Sequence, residues 1–278
     1  MKENEPLISI IIPSKNLENL EKCIKSIFKK STYQNFEILV LDTSSENEIE
    51  KFCNTSKVQH LRIPLKKFNF SKINNEGVKK SKGKYIIFLN DDTEVISPEW
   101  MEALLEHVQR DEVGIAGSKL LYQNKLVQHA GTIIGINGHA ENYAMMHKDE
   151  PGYFSYAKIV RDCSAVTAAC MMISKELFEK CNGFDENLAN SWQDVDLCLR
   201  VSEINKEIIF TPYSLLYHYE GNTRGNTDAS EEEMEARRIF REKHKEFILK
   251  GDPYYNPNLS NTVPFALRPK LIKLKSNY

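Results

Sequence analysis

The chain has 278 residues, 41% of them hydrophobic and 27% charged, with a formal net charge of −2 and a pI near 6.4. This balance supports a sizeable buried core, and the weak net charge sets aside a general DNA- or RNA-binding role. Cys23, Cys53, Cys163, Cys170, Cys181 and Cys198 form no C-x-x-C pair, which argues against a zinc site or a disulfide framework and leaves reduced thiols in a cytosolic protein as the expectation. The first residues lack the apolar core of a signal peptide, and no run is long enough to span a bilayer. A soluble or peripheral protein is therefore expected.

Strand and helix patterns alternate through the first half. Residues 8–12 read as a buried strand ended by Pro13-Ser14, followed over 17–30 by a helix with Leu20, Ile24, Ile27 and Phe28 on one face. Residues 36–41 form a second strand that stops at Asp42. A short polar helix over 46–53, a strand over 58–63 and a helix over 71–80 come next. Residues 85–89 are β-branched and aromatic, too short for a helix, and run directly into Asn90-Asp91-Asp92. Ser97-Pro98 has the form of a helix start, with Met101, Leu104, Leu105 and Val108 as the buried face. This alternation predicts an α/β fold built on a mainly parallel sheet.

The second half is less regular. Strand-like stretches occupy 113–121 and 131–138, and 164–173 reads as an apolar, small-residue strand. Ser174 caps a short helix ending at Asn182-Gly183. Residues 192–204 are helical, 208–210 form a strand stopped by Thr211-Pro212, and 230–249 read as one long helix with acids first and bases last. No repeat or clear linker interrupts the chain, so one compact domain is expected.

Three polar clusters carry chemistry. Asn90-Asp91-Asp92 follows a strand, where open α/β sheets bind ligands, and hard oxygen ligands there suit Mg²⁺ or Mn²⁺ shared with substrate phosphates. The same residues also suit a surface turn. Trp192-Gln193-Asp194-Val195-Asp196 opens a helix; Asp194 and Asp196 cannot share one helix face, so either one caps while the other faces a cleft, or both simply complement the helix N-terminus. His218 ends an aromatic run, as a core histidine or as an imidazole partner for a metal. Pro13, Ser14, Lys15, Asn16 and Asp42 extend the polar rim along the carboxyl ends of the first two strands. No G-x-G-x-x-G or G-x-x-x-x-G-K-[ST] occurs, which disfavours a dinucleotide or Walker-type site.

With these motifs in order, residues 6–260 resemble the glycosyltransferase family 2 enzymes. The resemblance rests on Ile8-Ser9-Ile10-Ile11-Ile12-Pro13-Ser14, Leu89-Asn90-Asp91-Asp92-Thr93-Glu94, Gln128-His129-Ala130-Gly131, Gly183-Phe184-Asp185-Glu186, Asp194-Val195-Asp196-Leu197 and His218-Tyr219-Glu220-Gly221. Later motifs are similar to a bacterial rhamnosyltransferase-like subgroup associated with O-antigen and other surface glycans. The resemblance implies a GT-A fold with a Rossmann-like N-terminal half. One domain over 1–265 is implied, with a nucleotide-binding half at 6–120, an acceptor-binding half at 121–265 and a basic tail at 266–278.

It also implies roles. Asp42 matches the acid that recognises the nucleotide base, with Pro13, Ser14 and Asn16 lining the nucleoside pocket. Asn90-Asp91-Asp92 matches the D-x-D position with Asn90 in place of the first Asp; Asp92 is then the metal ligand and Asp91 touches sugar or ribose. Asp194 matches the catalytic base, Gln193 replaces the usual Glu, and His218 completes the metal site. The expected reaction is inverting transfer from a UDP- or dTDP-sugar to a glycan or lipid-linked saccharide, with Mn²⁺ or Mg²⁺. A nucleotidyltransferase and an inactive glycan-binding module are the alternatives. Trp192 suits either acceptor stacking or core packing. His129 and Arg161 are candidates to reach diphosphate or acceptor, and Arg224 either clamps the diphosphate or is a solvated loop residue. The tail basic residues, Arg268, Lys270, Lys273 and Lys275, suit either a solvated tail or peripheral contact with an anionic membrane.

Overall fold

The computed structural model describes residues 5–64, 66–144, 146–219 and 230–268. In chain order the first half runs β1 (Ile8–Ser14), α1 (Leu17–Lys30), β2 (Phe36–Asp42), α2 (Glu48–Ser56), β3 (Gln59–Arg62), α3 (Phe70–Lys80), β4 (Tyr85–Leu89), β5 (Thr93–Val95) and α4 (Trp100–Val108). Then follow β6 (Val113–Leu121), β7 (Val127–His129), β8 (Thr132–Ile134), β9 (Ala140–Asn142), β10 (Arg161–Asp162), β11 (Cys170–Ser174), α5 (Lys175–Lys180), α6 (Gln193–Glu203), β12 (Glu207–His218), α7 (Glu231–Lys243) and α8 (Lys245–Lys250).

The main sheet has the order β10-β12-β6-β11-β4-β1-β2-β3. Strands β3, β2, β1 and β4 are parallel, as the alternating pattern predicts. Strand β11 departs from the parallel expectation, running antiparallel between β4 and β6. Helices cover both faces, which is why the central strands are apolar at nearly every position. Ile10, Ile12, Ile87 and Leu89 pack with Leu20 and Ile24 of α1 and Trp100 and Leu104 of α4. Ile11, Ile86 and Phe88 face the other layer, with Ile73 of α3, Phe178 of α5 and Leu197 of α6. Phe28 departs from the buried face of α1: it is 53% exposed beside Phe36.

Four local expectations are corrected by partners distant in sequence. Ser97 does not cap α4; its Oγ donates to Tyr213 O (2.8 Å) and accepts from Leu215 N (2.9 Å), tying the loop to β12. The stretch 164–173 pairs as a main-sheet strand only from Cys170 onward, because the backbone before it serves the site described below. Strand β12 does not stop at Pro212. A register shift between Thr211 and Leu215 takes the proline out of the ladder, so its missing N–H costs no bond there. The long helix over 230–249 breaks at His244, whose Nε2 lies 2.8 Å from the fully buried Asp196 Oδ1.

Candidate active site

The site lies at the carboxyl ends of β1 and β4. These strands are parallel neighbours, which brings Ser14 beside Asp91, and Ser14 Oγ donates to Asp91 Oδ2 at 2.6 Å. Burial pushes the Asp91 carboxyl up to about 7 against the lowering effect of that hydrogen bond. Immediately after the acids, β5 pairs antiparallel with the end of β12, setting His218 opposite Thr93. This pairing delivers the imidazole to the acidic turn. His218 Nε2 lies 3.2 Å from Asp92 Oδ1 and 3.1 Å from Asn90 Nδ2, while Nδ1 lies 2.6 Å from Gln128 Oε1.

Of the two aspartates at the start of α6, the fold separates the roles. Asp196 is fully buried against Arg200 (2.8 Å), Lys243 (2.7 Å) and His244 (2.8 Å). Burial raises its carboxyl, but these partners outweigh it and hold it at about 2. Asp194 instead lines the cleft. Its Oδ2 accepts from Ala168 N (3.0 Å) and its Oδ1 from Val195 N (2.9 Å). The same short segment reaches the acidic turn, since Asn90 N donates to Ala169 O at 3.1 Å. Residues 167–169 therefore strap Asp194 to the Asn90-Asp91-Asp92 turn. Thr167, Ala168 and Ala169 are small and uncharged, and their side chains gave no sequence signal of this backbone task.

Pro13, Ser14, Asn90, Asp91, Asp92, His218, Trp192, Gln193 and Asp194 line a single cleft of about 1280 Å³. Trp192 takes a left-handed backbone (φ 70°), a costly conformation for a bulky residue. Its ring stacks on Phe240 (5.3 Å between centroids) and its Nε1 donates to Glu233 Oε1 at 3.0 Å. Ser191 Oγ donates to the other oxygen of Glu233. The first turn of α7 thus closes one side of the cleft, and Lys67 reaches Glu232 at 2.6 Å. Sequence reasoning read these glutamates only as complements to a helix dipole. Gln193 is buried, and its Oε1 accepts no hydrogen bond from the described residues.

Other candidates sit elsewhere. Asn16 does not line this cleft; its side chain caps α1 by accepting from Asn19 N at 3.1 Å. Asp42 is fully buried at the end of β2, with Ser44 Oγ (2.6 Å), His60 Nε2 (2.8 Å) and Arg62 Nη2 (3.2 Å) around its carboxylate. His129 is buried and structural: its Nε2 accepts from Gly131 N (3.2 Å) and Thr167 N (3.4 Å), and burial lowers its pKa to about 4. Arg161 is structural too. It donates to Ala130 O at 2.6 Å and lies over the Tyr156 ring at 4.5 Å. Arg224 and tail residues 269–278 lie outside the described residues.

The donor set fits a divalent cation as far as it goes. Among the described residues no group of three His, Cys, Asp or Glu side chains forms a complete metal shell. Asp92 Oδ1 and His218 Nε2 lie 3.2 Å apart and both residues line the cleft, an oxygen–nitrogen pair that Mg²⁺ or Mn²⁺ could bridge while completing its shell with phosphate oxygens and water.

A family model described as glycosyl transferase family 2 matches residues 9–181. The uncharacterized protein y4gI of Sinorhizobium fredii is 38% identical over 272 residues, which is 93% of this chain and 30% of that protein. The O-antigen biosynthesis protein RfbC of Myxococcus xanthus is 33% identical over 264 residues, 92% of this chain and 20% of that protein. The chain therefore spans less than a third of the length of these relatives. A solved structure, GalNAc-T7 with UDP, GalNAc and Mn²⁺, superposes with a TM-score of 0.67 at 15% identity, covering 89% of this chain and 50% of that one. This likeness establishes the fold as GT-A.

Proposed function

The chain belongs to glycosyl transferase family 2, and from that premise we propose that it is a divalent-metal-dependent, inverting glycosyltransferase. It moves a sugar from a nucleotide diphosphate, a UDP- or dTDP-sugar, to a hydroxyl of a bacterial surface glycan. The observation that carries this reading is the shared cleft: Asp92 and His218 open onto the same space as Asp194, and residues 167–169 link the two.

Asp194 acts as the general base. Each of its oxygens holds one backbone N–H and keeps a second lone pair for the acceptor proton. The acceptor oxygen bonds to the anomeric carbon as the bond from that carbon to the diphosphate oxygen breaks, and the hydroxyl proton passes to Asp194. A single displacement of this kind inverts the anomeric centre. Asp92 and His218 are the residues that would hold the metal, which would neutralise charge growing on the departing diphosphate. Pro13, Ser14, Asn90 and Asp91 line the donor end, and Trp192 and Gln193 the acceptor end. The base end is assigned to Asn16 and Asp42 by their place at the ends of β1 and β2; direct contact by Asp42 requires it to release His60 or Arg62. The diphosphate clamp assigned to Arg224 rests on sequence alone.

The RfbC similarity supports the surface-glycan assignment. Free, buried cysteines support a cytoplasmic location. Among the described residues no helix is long and apolar enough to cross a membrane. Exposed Val263 and Leu267, close to Arg268, support peripheral contact with an anionic membrane.

A thermal-shift panel of UDP, GDP and dTDP, each with Mn²⁺, Mg²⁺ or EDTA, tests the reading. A cognate nucleotide at a hundred times its Kd stabilises the fold by about 2.7 kcal/mol, and only with metal present. No metal-dependent shift with any nucleotide refutes it.

A further inference from the structure

We propose that Gln128 is a positioning residue that gives the Asp92–His218 site a preference for Mn²⁺ over Mg²⁺. The inference rests on the metal-dependent reading above and concerns a residue to which that reading gives no role.

A neutral imidazole has one N–H and one lone pair, and its neighbours decide which nitrogen carries which. Gln128 Oε1 lies 2.6 Å from His218 Nδ1, and a carbonyl oxygen can only accept. The proton is therefore held on Nδ1 and the lone pair on Nε2. That lone pair faces Asn90 Nδ2 at 3.1 Å, a donor that suits it, and Asp92 Oδ1 at 3.2 Å, an acceptor that does not. A cation between Nε2 and Asp92 Oδ1 takes that lone pair in place of Asn90 Nδ2 and holds the two electron-rich atoms together. In the other tautomer an Nε2–H donates to Asp92, and the two ligands satisfy each other without an ion. Gln128 selects against this self-closed state.

Both residues are placed by strands of the main sheet. Gln128 is buried in β7, whose neighbours pair with β6 (Leu120 with His129, Leu121 with Val127), and His218 is the last residue of β12. A lone pair fixed on nitrogen also chooses between metals. Mg²⁺ favours an octahedral shell of oxygens, whereas Mn²⁺ accepts imidazole beside carboxylate more readily.

Metal-stripped wild type, Gln128→Met and Gln128→Glu are titrated with Mn²⁺ or Mg²⁺ in the presence of UDP, GDP or dTDP, whichever the thermal panel selects. Free Mn²⁺ is read by electron paramagnetic resonance, Mg²⁺ binding by competition, and folding by the melting temperature of the metal-free protein. Gln128→Met, which keeps the shape and removes the oxygen, should weaken Mn²⁺ binding about 10–100-fold and Mg²⁺ binding by less. Gln128→Glu retains an acceptor at the same place and should keep or tighten Mn²⁺ binding. A packing role predicts the reverse order, since a buried carboxylate disturbs more than a methionine.

Equal Mn²⁺ affinity in wild type and Gln128→Met overturns the proposal, as does a folded Gln128→Glu that has lost Mn²⁺. If Gln128→Met fails to fold, the Gln128→Glu arm decides. A wild type that binds nucleotide and both metals equally overturns the preference alone. A wild type that binds neither metal overturns the metal-dependent reading as well.

Discussion

Asp194→Asn separates chemistry from architecture. A positioned general base contributes about 10²–10⁴-fold in rate, which at about 1.36 kcal/mol per decade is ~3–5 kcal/mol of barrier. The same substitution has a structural cost. Both carboxylate oxygens receive backbone N–H groups, from Ala168 at 3.0 Å and Val195 at 2.9 Å. An amide offers one acceptor oxygen, so its NH₂ must face one of those donors, and the lost pairing costs about 1–3 kcal/mol of stability. The expected outcome is a melting temperature lower by a few degrees, near-normal metal-dependent nucleotide binding and a collapse of kcat. Nucleotide release measured at saturating donor and acceptor gives kcat, and calorimetry with nucleotide and Mn²⁺ gives binding. If the melting temperature falls while kcat stays at the wild-type level, Asp194 is a strap anchor and not the base.

Two further perturbations probe the neighbours. Asp92→Ala should weaken nucleotide binding about 10–100-fold when metal is present and leave metal-free binding unchanged; calorimetry with Mn²⁺ and with EDTA checks this, and equal binding by both proteins in Mn²⁺ places the metal elsewhere. Asp196→Asn should cost about 3–5 kcal/mol, because Arg200, Lys243 and His244 are left without their buried carboxylate. The Asp196 carboxyl is depressed in the fold from 3.8 to about 2, so its charge-dependent contribution is fully present above the ordinary carboxylate value and is lost as pH falls through about 2. That linkage is worth ~2–3 kcal/mol. The gap between wild type and variant in urea unfolding should therefore narrow over this interval; a gap of constant size contradicts the assignment.

Local pattern carried the first half of the fold because its signals are local. Runs such as residues 8–12 and 85–89 alternate between two buried faces, and the acids that follow lie where parallel strands end. The misreadings arose where a distant residue decided the local structure. Ser97 looked like a helix cap but serves β12, more than a hundred residues away in sequence. Pro212 looked like a strand end, and a bulge absorbs it. His244 interrupts an acid-to-base helix and meets Asp196 at the break.

The site divides along the same line. Asp92, Asp194 and His218 stood in motifs, and all three line the cleft. Trp192 and Gln193 also reach it, whereas Asn16 and Asp42 are engaged in partners of their own. What no spacing disclosed was backbone work, such as Ala168 N on Asp194, and the pin between Glu233 and Trp192.

The strap at residues 167–169 has a consequence for how this scaffold can change. It joins the Asn90-Asp91-Asp92 turn to Asp194 through main-chain atoms, Ala168 N to Asp194 and Asn90 N to Ala169 O. Backbone atoms are common to every side chain. The span between the acidic turn and Asp194 therefore behaves as a fixed gauge, indifferent to substitutions that spare the local conformation. The walls beyond it, including the first turn of α7, can change their side chains without resetting that gauge.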